Sequence, residues 1–252
     1  SKDQGDSISI NIGPDGITYV SYRDKGTIGY NSTVMQYKNS VWSPLGNEGF
    51  SVNGALSTSI TQDKTGKLYF IYENDNGQLY SMIYDKSTAK WIPLEATNGS
   101  NGFLGMSADF MEHIVLLINP ITQEPNIVFT SNNRINLLKY NLITKTWEGV
   151  GPNIAIIEGG KSPSLDFDKL GNPYISYLGT NGNNKGLSLV YSIDGGNTWK
   201  DNILTKDTFD CNLYCTDIAI DKQNAYSYIT HTNTNNIAEY LKDIGGALAD
   251  AP

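Results

Sequence analysis

Apolar residues in this chain fall in short alternating runs rich in β-branched and aromatic side chains, separated by Gly, Pro, Asn and Asp. The runs Tyr19-Val20-Ser21-Tyr22, Tyr69-Phe70-Ile71-Tyr72, Asn126-Ile127-Val128-Phe129, Tyr174-Ile175-Ser176-Tyr177 and Tyr226-Ser227-Tyr228-Ile229 have the composition of strands. Each is preceded by another predicted strand: Ser7 to Ile12, Ser57 to Thr61, Ile114 to Ile118, Ser164 to Phe167, and Thr216 to Ile220. Between the two lie Gly13-Pro14-Asp15-Gly16, Asp63-Lys64-Thr65-Gly66, Asn119-Pro120, Asp168-Lys169-Leu170-Gly171 and Asp221-Lys222-Gln223-Asn224, which supply hairpin-turn conformations. A third run follows, at Val34 to Tyr37, Tyr80 to Tyr84, Asn136 to Tyr140, Leu187 to Tyr191 and Ile237 to Tyr240. No helical period is sustained, and only Glu239 to Leu248 reads equally as helix or strand.

A fourth strand begins at each tryptophan. Trp42, Trp91, Trp147 and Trp199 are all the tryptophans in the chain, and they stand 49, 56 and 52 residues apart. Four antiparallel strands in about 50 residues is the unit of a β-propeller blade. A lone four-stranded sheet leaves both faces wet, whereas stacked blades bury both, with large aromatic rings filling the gaps between sheets. The expected fold is therefore all-β, a β-propeller of four-stranded antiparallel blades in one domain over 1–252. Its repeat units run roughly 7–56, 57–113, 114–163, 164–215 and 216–252. The fifth lacks a tryptophan, and Tyr240 to Gly246 reads as a turn like the one after Tyr191. Either five blades close the ring imperfectly or the chain is part of a longer array; five blades is the expectation.

Composition narrows the function. The net charge is −8, and no cluster of Lys or Arg interrupts the acidic balance, so nucleic acid is not an expected partner. No apolar stretch is long enough to span a membrane. No basic and apolar leader opens the chain, so any export signal is expected to have been removed. The two cysteines, Cys211 and Cys215, fit a small-loop disulfide in an oxidising compartment or a pair of reduced thiols. No metal site or cofactor is expected, since His113 and His231 lack ligand spacing and no Gly-rich loop opens a helix.

The segment Ser192-Ile193-Asp194-Gly195-Gly196-Asn197-Thr198-Trp199 resembles the Asp-box of sialidase-type (BNR) repeats at every defined position. The resemblance implies a hairpin turn on a propeller rim, remote from catalysis, with Asp194 in a structural role. Tyr84 to Trp91 and Tyr140 to Trp147 keep the ends of the phrase and lose its Asp and glycines. Two longer stretches are similar to the tandem repeats of large bacterial surface and secreted propellers: Asp168 to Tyr177, and Thr33 to Tyr37 continued through Trp42 to Gly46. That similarity implies an extracellular or cell-surface location. Sialidases grip the substrate carboxylate with three arginines, because the planar fork matches a carboxylate. This chain has only Arg23 and Arg134, so sialidase activity is not expected.

Glycoside hydrolysis by two carboxylates is the second reading. Asp166 and Asp217, on predicted first strands, are its acid/base candidates, whereas Asp63, Asp168 and Asp221 share a position before a turn and read as turn residues. The favoured reading is non-enzymatic binding or adhesion, with a glycan or a protein as ligand. Asn132, Asn133, Asn183 and Asn184 are its candidate loop contacts. The four tryptophans are assigned to packing.

Overall fold

The computed structural model describes residues 5–26, 29–94, 102–109, 113–151, 155–179, 186–204, 216–223, 226–232 and 238–243. Among them there is no helix, and the strands form five antiparallel sheets in chain order. Sheet 1 is β1 (Gly5–Ile12), β2 (Thr18–Asp24), β3 (Ser32–Lys38) and β4 (Val41–Pro44). Sheet 2 is β5 (Ser57–Gln62), β6 (Leu68–Glu73), β7 (Gln78–Asp85) and β8 (Lys90–Pro93), with β9 (Phe103–Ser107) also paired to β7. Sheet 3 is β10 (Val115–Ile118), β11 (Pro125–Ser131), β12 (Arg134–Asn141) and β13 (Thr146–Gly149), with β14 (Ala155–Glu158) also paired to β12. Sheet 4 is β15 (Gly160–Phe167), β16 (Pro173–Gly179), β17 (Gly186–Tyr191) and β18 (Lys200–Ile203). Sheet 5 has three strands among the described residues: β19 (Thr216–Ile220), β20 (Ser227–Thr232) and β21 (Ala238–Asp243). This is the repeated meander of a β-propeller.

Two features depart from the expectation. The chain after Tyr240 does not turn, because β21 runs on to Asp243 with Leu241, Lys242 and Asp243 opposite Ile229, Tyr228 and Ser227. The strands β9 and β14 had no sequence signal of their own, Phe103-Leu104-Gly105-Met106-Ser107 being interrupted by glycine and Ala155-Ile156-Ile157-Glu158 lacking alternation. Their cause is backbone satisfaction. The short β8 covers only Met82 to Asp85 of β7, so the other end of β7 would be an open edge; β9 pairs Gln78 and Tyr80 there.

The chain divides into two compact units: Ser1–Ile118 with Gln123–Pro125 and Tyr140–Trp147, and Asn119–Thr122 with Asn126–Lys139 and Glu148–Pro252. In the first unit, Tyr19, Val34 and Leu45 of sheet 1 pack against Ile60, Phe70, Tyr72 and Trp91 of sheet 2. In the second, Tyr174, Leu178, Leu187, Leu189 and Tyr191 of sheet 4 pack against Ile218, Ile220 and Ile229 of sheet 5. The two interfaces use equivalent positions. A Tyr-bearing face of one sheet meets an Ile-bearing face of the next, with Phe70 added in sheet 2.

Polar links between first strands repeat with the same period. In sheet 1 the ladder slips between Asp6 and Ser9, where Ser7 has φ 52°, and in sheet 4 it slips between Lys161 and Ser164, where Ser162 has φ 48°. Each bulge turns a carbonyl toward the next sheet. Thr58 Oγ1 donates to Ser7 O at 2.6 Å, and Thr216 Oγ1 donates to Ser162 O at 2.9 Å. A second-strand serine completes each link, Ser21 Oγ at 3.2 Å from Thr58 Oγ1 and Ser176 Oγ at 2.9 Å from Thr216 Oγ1.

Candidate functional site

The densest chemistry in the first unit lies where β1 and β2 of sheet 1 end beside the loop after β6. Asp6 and Arg23 face each other across the strand pair. The guanidinium donates through Nε to Asp6 Oδ1 and through Nη2 to Asp6 Oδ2, each at 2.5 Å, a bidentate pair. Lys25 Nζ lies 2.7 Å from Asp6 Oδ2. These cations, led by the Arg23 bond, hold the Asp6 carboxyl at about 2, well below its ordinary 3.8. Asp6 in turn raises Arg23, with Asp75 of the following sheet adding to the effect.

Tyr30 completes the cluster. Its ring is 53% exposed, and Arg23 Cζ sits 5.8 Å from the ring centroid. The loops are fixed by backbone bonds: Ala55 N donates to Tyr30 O at 2.8 Å, Asp75 N to Asn53 O at 3.0 Å, and Gly54 N to Asn31 Oδ1 at 3.2 Å. Gly54 has φ +76°, and a Cβ there would sit 2.3 Å from Asp75 Oδ1, so only glycine lets the Asp75 carboxylate lie this close. A guanidinium held in place by Asp6, a nearby carboxylate and an exposed aromatic ring are elements that a polar, ring-shaped ligand with hydroxyl groups uses. The cluster was not legible in the sequence. Arg23 stood out only as one of two arginines, and Asp6 is 17 residues away from it.

The predicted carboxylates Asp166 and Asp217 lie on the first strands of sheets 4 and 5, each bonded to the other sheet and at different levels of the pair. Asp166 Oδ2 accepts from Ile220 N at 2.7 Å, and Oδ1 accepts from Phe167 N at 2.7 Å and meets Lys222 Nζ at 2.6 Å. Asp217 Oδ1 accepts from Ser164 Oγ at 2.8 Å and from Ile218 N at 3.0 Å. Both therefore help to bind sheet 5 to sheet 4. Asp63 and Asp168 cap their turns, accepting from Thr65 N and Lys67 N and from Leu170 N and Asn172 N respectively. Asp221 accepts from Gln223 N.

The Asp-box phrase forms a closed turn between β17 and β18. Asp194 Oδ1 accepts from Thr198 N at 2.9 Å and from Ser192 Oγ at 2.7 Å, while Oδ2 accepts from Thr198 Oγ1 at 2.7 Å. These donors, the Thr198 amide first, lower the Asp194 carboxyl to about 2. In sheets 2 and 3 the same turn is organised earlier in the phrase, Asp85 accepting from Ser87 N and Asn141 from Ile143 N and Thr144 N.

The tryptophans differ in their surroundings. Trp91 is 7% exposed, stacks on Phe50 at 5.2 Å, and donates Nε1 to Leu45 O at 2.8 Å. Trp147 is half-buried against Tyr140, with Nε1 3.4 Å from Ser81 Oγ. Trp199 is half-buried, its Nε1 close to Gly151. Trp42 is 49% exposed and touches Tyr37, the ring centroids 5.1 Å apart.

Asn132 and Asn133 occupy the hairpin turn between β11 and β12 with φ 54° and 58°, a pair of conformations that asparagine tolerates well. Arg134, beside them, pairs with Glu158 of β14. Asn183, Asn184, Cys211 and Cys215 lie outside the described residues. Among the described residues, no group of three or more His, Cys, Asp or Glu side chains is arranged to hold a metal ion, and no helix is long and apolar enough to cross a membrane.

The fold places the chain in the class of β-propellers. No family model matches it, and no characterised protein matches it in sequence. Solved structures are similar to it in fold at low identity. An arginine-to-alanine triple mutant of AofleA from Arthrobotrys oligospora superposes with a TM-score of 0.71 and 12% identity, covering 97% of this chain and 70% of that one. The lectin SapL1, solved with α-methyl fucoside, gives 0.60 and 14%, covering 92% and 78%. The GH43 β-1,3-galactosidase BT3683, solved with galactodeoxynojirimycin, gives 0.56 and 11%, covering 94% and 89%.

Proposed function

We propose that this chain is a carbohydrate-binding propeller of an exported or surface protein, and that the Asp6–Arg23–Tyr30–Asp75 cluster is a glycan site. The observation that carries the reading is the pairing of a fixed guanidinium with an exposed aromatic ring. A sugar offers two kinds of surface. Its C–H face stacks on Tyr30, while its hydroxyls donate to the Asp75 carboxylate and accept from Arg23 and Lys25. Bidentate contact with Asp6 holds the arginine in one orientation before ligand arrives, which reduces the ordering cost of binding. Similarity in fold to a fucoside-bound lectin supports the ligand class.

A glycan array followed by calorimetry on the best hit tests the site. Tyr30→Ala removes an exposed ring, so the protein should stay folded while affinity falls about tenfold or more. Arg23→Lys keeps the charge and loses the fork, and should weaken binding as well. Binding that neither substitution changes would remove this site. The hydrolase reading rests on Asp166 and Asp217 and on similarity in fold to the galactosidase. Turnover of an aryl glycoside that is lost in Asp166→Asn, with the fold kept, would establish it instead.

A further inference from the structure

Both cations of the Arg23 cluster are already committed to one internal anion. Two of the three guanidinium nitrogens of Arg23 are used by Asp6, Nε on Oδ1 and Nη2 on Oδ2, each at 2.5 Å. That is the edge of a guanidinium that matches a carboxylate in two parallel bonds. Lys25 Nζ lies 2.7 Å from the same Oδ2. Pairing of Asp6 with Arg23 across β1 and β2 keeps the arrangement in place, and the Arg23 side chain is only 12% exposed. What the guanidinium has left for a ligand is Nη1, which has no acceptor among the described residues.

The rest of the cluster is acceptor and ring. Asp75 is exposed, and its carboxylate accepts no hydrogen bond among the described residues. Its charge reaches Arg23, though less strongly than that of Asp6. Arg23 and Lys25 are thus matched by Asp6 and Asp75, and Asp24, next along β2 and bonded to Gly26 N, is a third carboxylate. The cluster has no surplus positive charge to offer, and the chain around it carries −8. The other arginine, Arg134, is paired as well, with Glu158 of β14. A sugar hydroxyl suits this arrangement, because it donates to Asp75 and accepts a single bond from Nη1. A sugar carboxylate does not. It would have to displace Asp6 and leave that carboxylate unpaired, or lie beside Asp75 with one nitrogen to hold it.

We infer that this site selects neutral glycans over acidic ones, and that Asp6 sets the preference by filling the edge of Arg23 that a uronate or sialate carboxylate would otherwise take. The inference rests on the glycan reading above and adds the ligand class to it. Asp6 stands in the place of the rejected group. Specificity of this kind comes from a cost imposed on the wrong ligand, not from an extra contact with the right one. With its carboxyl held at about 2, Asp6 is ionised throughout the neutral pH range, so the block does not relax there.

The test is an array of neutral oligosaccharides printed beside their uronate- and sialate-bearing counterparts, probed with the full chain. Neutral members should bind at least about tenfold more tightly than their acidic counterparts, and Tyr30→Ala should weaken that binding. Asp6→Ala empties the edge of Arg23 and should raise the acidic members relative to the neutral ones by about tenfold, an effect that added salt diminishes. Asp6→Asn, of the same shape but without the charge, should move the ratio in the same direction. The pair lies at a partly exposed strand end, so both variants should keep the wild-type circular dichroism spectrum, and a misfolded chain would not gain a new class of ligand. Tyr30-dependent binding as strong for acidic members as for neutral ones overturns the inference and leaves the glycan reading standing. So does a ratio that neither Asp6 variant moves. Binding to no glycan, or binding indifferent to Tyr30→Ala, overturns the glycan reading and the inference with it.

Discussion

Sheet 4 and sheet 1 are built on the same ladder and have opposite fates. In sheet 4 the rung Leu165, Ile175 and Val190 is fully enclosed, at 3%, 0% and 0% exposure, whereas the equivalent rung of sheet 1 begins at the exposed Ile10. The residues are of the same kind, and the pairing registers match. What differs is the neighbour. Hydrophobic stabilisation follows area removed from water, so the identical side chain contributes strongly in one sheet and little in the other. Trp91 and Trp42 show the same contrast, one sealed against Leu45 and Phe50 and the other touching only Tyr37 across the strand pair among the contacts described.

The widest separation is expected from truncating the two rungs. Ile175→Ala leaves a cavity in an enclosed sheet and should cost about 2–5 kcal/mol, while Ile10→Ala, already in water, should cost no more than about 0.5 kcal/mol in dilute solution. Urea unfolding of both variants measures this. Equal midpoints would mean that the Ile10 face is covered in solution, and the contrast between the two sheets would fail.

A smaller effect tests whether the two units use one device or two. Thr58→Val and Thr216→Val each remove a buried hydroxyl that joins a bulged serine carbonyl to a second-strand serine. Each should cost about 1–3 kcal/mol, because the Ser7 or Ser162 carbonyl loses its donor. The two losses should be similar. A large loss at one site alone would show that the repeat in geometry is not a repeat in energy.

These links also mark the limit of what the sequence could show. Strands and turns were legible because alternation and turn residues are local, and Asp63, Asp168 and Asp194 do bind the turn amides their positions suggest. The serine and threonine links were not, since they depend on a bulge with positive φ and on a partner about 50 residues away. The Arg23 cluster escaped for a similar reason. It needs Asp6 from β1, Tyr30 from a loop and Asp75 from the next sheet, and no spacing rule connects them. The environments of the tryptophans were equally hidden, because a side chain's residue type does not say which sheet lies beside it.

Acid titration separates the two sheets by another route. Asp6 of sheet 1 has its carboxyl lowered from 3.8 to about 2 by Arg23 and Lys25. The ion pair therefore adds stability that is complete above the unfolded value near 3.8 and is lost as pH falls toward 2. With Asp6 34% exposed, solvent screening reduces the contribution to about 1 kcal/mol. Asp6→Asn should remove this part of the stability-versus-pH slope between about pH 4 and 2, with little effect on Tyr30 exposure. An unchanged slope would mean that the pair is equally formed in the unfolded chain.

The smallest expected change is a gain, and it compares the turns that lead into the fourth strands. Sheet 4 uses the long Asp194 turn, which needs two glycines at φ 72° and 97°. Sheet 1 makes the same reversal in two residues, Asn39 and Ser40, with φ 53° and 63°. Both angles positive is the type I′ pattern, where Asn followed by Gly is the preferred pair. Ser40 is thus an L-residue held in a region that glycine occupies without steric cost. Ser40→Gly should raise stability by about 0.5 kcal/mol, the relief of left-handed strain being partly offset by the larger unfolded-state entropy of glycine. The converse change in sheet 4, Gly195→Ser, meets no neighbouring atom within 4 Å yet should be destabilising on backbone grounds alone. If thermal unfolding shows the two substitutions moving stability in the same direction, backbone conformation is not what distinguishes the two turns.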